Sequence, residues 1–168
     1  SRQLFFSINQ GAFFKMTSSI RLFMIAIIVL SFALGSFTAR AQRSGPEVEY
    51  AAVQGGLPFS PYVRVDNMLY LSGQLGTIPG GGLAEGGVQA ETQQTLENIR
   101  NVLERAGSSM NNVVKCSVFM EDMNQWPVMN EAYVTFFPEH LPARSAFGST
   151  GLALGAALEI ECLATVGN

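Results

Sequence analysis

Residues 158–166 read L-E-I-E-C-L-A-T-V, and the alternation of polar and apolar residues marks a strand with two unlike faces. Glu159, Glu161 and Leu163 share one face; Ile160, Cys162 and Ala164 share the other. The two carboxylates then stand about 7 Å apart along the strand. Acidic groups within an apolar strand are expensive unless they are paired or do chemistry. The natural partner is Arg144, mid-strand in the small, apolar run Pro142-Ala143-Arg144-Ser145-Ala146-Phe147. Spacing alone leaves a structural inter-strand ion pair and a binding site both open.

The rest of the pattern builds a sheet around that strand. Residues 62–65 and 68–72 are short β-prone runs separated by Asp66-Asn67, which reads as a hairpin whose second arm closes at Ser72-Gly73-Gln74. Residues 77–87 hold five glycines and a proline, a loop with few side chains to order it and the expected mobile part of the domain. From Val88 the period becomes helical, with Leu96, Ile99, Val102, Leu103 and Ala106 on one face and Gly107 as the stop. Residues 113–120 (VVKCSVFM) form an apolar, β-branched central strand. A second helix follows, capped by Asn124, with Pro127 in its first turn and Met129, Tyr133, Phe136 and Phe137 as its apolar stripe until Pro138. Residues 143–148 and 158–166 supply the last two strands. The class is α+β, a β-β-α-β-α-β-β mixed sheet with both helices packed on one face. The uncovered face would be too apolar for a soluble monomer, so self-association is expected, with clefts between the copies.

The N-terminal part reads differently. Residues 22–39 contain no charge, follow Arg21 and end in Ala39-Arg40-Ala41, the small-x-small pattern of a signal-peptidase site. We therefore divide the chain into residues 1–15, upstream read-through before a start at Met16; 16–41, a signal peptide; 42–57, an exposed leader; and 58–168, the domain. The expectation is an exported protein, periplasmic or secreted after cleavage; uncleaved, the same segment reaches membrane-spanning length and would be its only membrane attachment.

Residues 1–41 hold four of the ten Lys and Arg residues and none of the thirteen Asp and Glu residues, so the mature part carries a net charge of −7. Such a surface repels phosphate backbones, which argues against nucleic acid as a partner. One histidine and two cysteines exclude the common zinc ligand sets and disulfide frameworks, and leave carboxylates as general bases. No cofactor motif is present. Cys116 and Cys162 lie in strand-like runs and read as small buried hydrophobes, with a disulfide as the alternative that export would permit.

Ser60-Pro61-Tyr62, Leu71-Ser72-Gly73-Gln74, Asn98-Ile99, Val113-Val114-Lys115, the Asn130 to Tyr133 spacing, Pro142-Ala143-Arg144-Ser145 and Glu159-Ile160-Glu161 resemble, in order and distance, the RidA (YjgF) family of reactive-intermediate deaminases. The resemblance covers about residues 58–166. It implies a chorismate-mutase-like fold, a homotrimer with inward-facing sheets, and a ligand site at each subunit interface. It also implies hydrolysis of 2-imino and enamine acids such as 2-aminoacrylate and 2-iminobutyrate to 2-keto acids and ammonia, without a cofactor.

Carried over by motif, Arg144 clamps the substrate carboxylate with its planar fork. Glu159 orients the attacking water and relays its proton. The Gly73 carbonyl and the Ala146 N–H help place water or substrate, and Tyr62 and Asn130 line the pocket. Glu161 is read as structural, Tyr133 with Phe136 as core, and His140 has no role. Three features depart from the family: Ala146 stands where many relatives carry cysteine, Ala153 where proline is common, and the chain carries an export signal. The alternatives are a trimer that binds small carboxylates without turnover, and an endoribonuclease, which the charge disfavours.

Overall fold

Asp66 adopts a positive φ of 52°, and with Asn67 it turns strand β2 (Tyr62–Val65) into β3 (Met68–Leu71), Val65 facing Met68. The fold comes from a computed structural model that describes Phe23, Ile27, residues 45–53 and residues 55–167. The expected read-through and signal segments, 1–15 and 16–41, lie outside the described residues but for Phe23 and Ile27. No helix among the described residues is long and apolar enough to cross a membrane.

The unit beginning at Pro46 is built on a six-stranded sheet. After the hairpin come helix α1 (Gly87–Arg105), strand β4 (Val113–Met120), helix α2 (Trp126–Tyr133), β5 (Ala143–Gly148) and β6 (Leu158–Thr165). These follow the order expected from the periodicity. A further strand, β1 (Val48–Tyr50), pairs antiparallel with β2 inside the stretch 42–57 read as a leader. Its three residues are too few to show a period. The sheet order is β1-β2-β3-β6-β4-β5, with β4 and β5 parallel and all other neighbours antiparallel. Strand β4 is interior, as its uninterrupted apolar run requires, and β5 forms the edge.

Helix α1 lays Leu96, Ile99, Val102 and Leu103 on the sheet against Leu69, Val118 and Ile160. The glycine-rich loop is tied to it: Asn98 Nδ2 donates to the carbonyls of Leu75 and Thr77, both at 2.9 Å. Near α2 the cap differs from expectation. Asp122, not Asn124, accepts from the Asn124 N–H at 2.9 Å, because a short 3-10 turn precedes the helix and moves the cap two residues upstream. Pro127 occupies the first turn of α2.

Both helices cover one face, and Cys116, Val118, Met120, Leu158, Ile160, Cys162 and Ala164 are buried beneath them. Cys116 and Cys162 are not free hydrophobes. Cross-strand neighbours on β4 and β6, they form a disulfide. Each lies on the buried face of its strand, and the register sets them directly opposite, 4.1 Å apart at Cα. The other face carries Tyr50, Tyr70, Phe119, Phe147, Leu163 and both glutamates, with Tyr50 70% and Phe147 51% exposed. The bare apolar face expected from the one-sided helices is present.

Candidate functional site

Helix α2 determines what surrounds Arg144. Trp126, Asn130 and Tyr133 are four and three residues apart, so they share one face of the helix, and that face meets edge strand β5. Arg144 rises from β5 level with Cys116, on the helix-covered side. Its Nη2 donates to Asn130 Oδ1 at 2.7 Å, and Nη1 lies 3.8 Å from Met129 Sδ. Its Cζ sits 4.6 Å from the Tyr133 ring centroid and 5.8 Å from that of Trp126. The guanidinium is thus held by an amide oxygen, a thioether sulfur and two aromatic faces. Among the described residues the ion pair is Glu97 with Arg100, and no carboxylate lies within ion-pair distance of Arg144. Beside it opens a concavity of about 350 Å³ lined by Asn130, Tyr133, Val134, Leu141, Pro142 and Arg144.

Tyr133 is only 2% exposed, and burial pushes its phenol up from 10.0 to about 12 against the opposing pull of the Arg144 charge. Read from sequence as core, it is core and pocket wall together. Trp126 is the other contact that sequence reasoning missed. Its helical spacing to Asn130 is visible in the chain, but which strand the helix would cover is not.

Glu159 belongs to a different environment. It faces Phe119 across β6 and β4, on the uncovered face of the sheet. The pairing of Tyr70 with Leu163 and then of Gln74 with Ile160 leaves one extra residue on the β3 side, a bulge that brings Gly73 beside Glu159. A Cβ at Gly73 would overlap the Glu159 carboxylate, so glycine there is what lets the glutamate lie across the backbone. The Gly73 carbonyl accepts from Gln74 Nε2 at 3.1 Å.

Arg144 and Asn130 are therefore brought together, and Glu159 and Gly73 are brought together, but the two pairs are not joined within one chain. Ala146 is half-buried on the Arg144 side, and Tyr62 is half-buried against the core on β2. Four strand spacings separate β2 from β5, about 19 Å, so Tyr62 cannot reach the Arg144 concavity of its own chain. Glu161 is exposed and lines a second concavity, of about 320 Å³, on the uncovered face with Tyr70, Lys115 and Leu163. His140 Nε2 lies 2.8 Å from the Asn111 carbonyl oxygen.

The profile of the family described as Endoribonuclease L-PSP matches residues 50–166. The chain belongs to this family, the RidA (YjgF) family. It is similar to the 2-iminobutanoate/2-iminopropanoate deaminase of Mus musculus, 44% identical over 111 residues that cover 66% of this chain and 82% of that protein. Among solved structures it is similar to RidA from the Antarctic bacterium Psychrobacter sp. PAMC 21119, with 37% identity and a TM-score of 0.63 over 74% of this chain and all of that one. It is also similar to E. coli TdcF with bound serine, with 31% identity and a TM-score of 0.63 over 74% of this chain. The mixed sheet with two helices on one face is the RidA fold, as the sequence motifs implied.

Proposed function

We propose that this RidA-family protein hydrolyses 2-imino acids, and enamine acids after tautomerisation, to 2-keto acids and ammonia. The observation that carries the reading is Arg144, a half-buried guanidinium that faces a concavity and has no carboxylate among the described residues to neutralise it. A planar fork with free donors is matched by a planar, two-oxygen anion. The deaminase named among the similar proteins acts on anions of that kind.

In the reaction Arg144 grips the substrate carboxylate while Asn130 fixes the direction of the fork. Water oriented by Glu159 and the Gly73 carbonyl adds to the imine carbon. One water proton passes through the glutamate to nitrogen to give the carbinolamine; the proton of its hydroxyl group then follows to nitrogen by the same carboxylate, and the carbon–nitrogen bond breaks so that ammonia leaves as C=O forms. An imine is already electrophilic, so positioning contributes most of the acceleration. The Ala146 N–H and Tyr62 complete the pocket.

Because Arg144 and Glu159 lie on opposite faces of one sheet, the working site is composed from two copies. Edge strand β5 of one copy approaches the uncovered face of the next, and a closed trimer uses each face once. The apolar exposure of Tyr50, Tyr70 and Phe147 supports this assembly. Export through residues 16–41 is part of the same proposal. A disulfide between Cys116 and Cys162 supports it, since such bonds persist in oxidising compartments.

An amino-acid oxidase that generates imino acids in situ tests the activity. The protein should accelerate keto-acid and ammonia release, and Arg144→Ala should abolish the acceleration. Equal release with and without the protein would overturn the proposal, and carboxylate binding without acceleration would make the protein a binding module.

A further inference from the structure

Among the described residues Glu91 is the one charged side chain that is buried, 8% exposed. It opens the buried stripe of helix α1 that continues through Leu96, Ile99 and Leu103, a place where an apolar residue would be expected. A carboxyl group there is costly unless its oxygens find donors. Glu91 Oε2 finds one in the Ala157 N–H, at 2.9 Å. Ala157 is the last residue before β6, and its carbonyl accepts from the Glu121 N–H at 3.0 Å, so both of its polar backbone groups are held. The chain leading to it is irregular, with Leu154 at a positive φ of 61° inside a short 3-10 turn. The start of β6 is therefore fixed at Ala157, and Glu159 stands two residues further on.

The same residue meets the segment that carries Gly73. The Glu91 backbone packs so closely on Gly76 that a Cβ there would come within 2.9 Å of its Cα and carbonyl oxygen. Gly76 lies two residues after Gln74, whose N–H and carbonyl bond with Ile160 at 2.8 and 3.0 Å. One helical residue thus braces both segments of the Gly73 and Glu159 pair. We infer that Glu91 is a positioning residue for the Glu159 carboxyl group: its hydrogen bond to Ala157 fixes the entry of β6 and, with it, where that group lies beside Gly73. This rests on the reading of Glu159 as the residue that orients water. Addition to the imine depends on where that water stands, and a misplacement of about 1 Å can cost on the order of a hundredfold in rate. The grip on the substrate carboxylate belongs to Arg144 on β5, so loss of the Glu91 bond lowers kcat and leaves KM in place.

The test compares wild type, Glu91→Gln, Glu91→Leu and Glu159→Gln, with an imino acid as substrate and 2-ketobutyrate as probe in calorimetry. Glu91→Leu fills a similar volume without an acceptor. Its kcat should fall about tenfold or more, while KM and 2-ketobutyrate affinity stay within about twofold of wild type. Glu91→Gln keeps an amide oxygen at the same reach and should hold kcat within about twofold of wild type. A wild-type kcat in Glu91→Leu would overturn the inference. So would a Glu91→Gln as slow as Glu91→Leu, or equal losses of kcat and probe affinity in Glu91→Leu, which mark a general disturbance. Should Glu91→Leu not fold, hydrogen exchange decides: the Ala157 amide should exchange as slowly as the β6 amides in wild type and in Glu91→Gln, and exchange at the rate of an open loop would overturn the inference. If Glu159→Gln hydrolyses at the wild-type rate, the reading of Glu159 fails and this inference with it. A slow Glu159→Gln beside a fast Glu91→Leu removes this inference alone.

Discussion

Arg144 and Glu159 stand on opposite faces of one sheet. Arg144 is level with Cys116 beneath helix α2, and Glu159 is level with Phe119 on the face opposite helices α1 and α2. Strand β4 lies between them, so a carboxylate gripped by Arg144 cannot present its C=N bond to the Glu159 of the same chain. The two residues can share a substrate only across a contact between copies. In this account the apolar face and the chemistry have one explanation.

Gly73 should be a site where function is lost before stability. Its φ is not in the left-handed region, so alanine is conformationally acceptable, but the new Cβ displaces the Glu159 carboxylate. Gly73→Ala is expected to keep its unfolding free energy in urea within about 1 kcal/mol of wild type and to lose about tenfold or more in kcat. Gly76→Ala provides the contrast. There the added carbon meets the Glu91 backbone at 2.9 Å, which no side-chain rotation relieves, so about 1–3 kcal/mol of stability should be lost.

The disulfide joins residues 46 apart in sequence, a loop whose closure stabilises the folded state by about 4 kcal/mol in the chain-entropy picture. Reduction should lower the melting temperature by on the order of 10 °C. A Cys116→Ala, Cys162→Ala double variant should be insensitive to reductant. Alkylation of the denatured, unreduced protein read by mass spectrometry gives the direct check: no adduct is expected, and two per chain would contradict the bond.

Tyr133 sets an alkaline limit. Burial favours the neutral phenol and raises it from 10.0 to about 12 in the folded chain, the Arg144 charge opposing. Below pH 10 both folded and unfolded chains hold the proton and the contribution is intact. As pH rises from 10 towards 12 the unfolded chain ionises first, and stability falls by about 1.4 kcal/mol per unit of separation. Tyr133→Phe lacks this loss, so its urea midpoint should gain on wild type across that interval. Parallel profiles would contradict the assignment.

The elements were legible because their periods are strong: β6 by its alternation, α1 by its three-and-four spacing, and the hairpin by Asp66-Asn67. Arg144, Asn130, Glu159 and Gly73 could be named from the motifs that carry them. Strand β1 was hidden, because three residues are too few to show a period. The disulfide was hidden too, since either cysteine fits a buried strand position and only the β4–β6 register sets them opposite each other. The aromatic cradle of Arg144 and its separation from Glu159 depend on which helix covers β5 and on the side-chain parity relayed through β4. Both are tertiary relations that no single segment encodes.

Mixing two inactive variants tests the shared site most directly. Arg144→Ala and Glu159→Gln are each expected to lose imino-acid hydrolysis. Co-expressed in equal amounts, they should regain activity corresponding to about one quarter of the sites, those in which an intact arginine from one copy meets an intact glutamate from the other. Mixed oligomers as inactive as either parent would contradict the account.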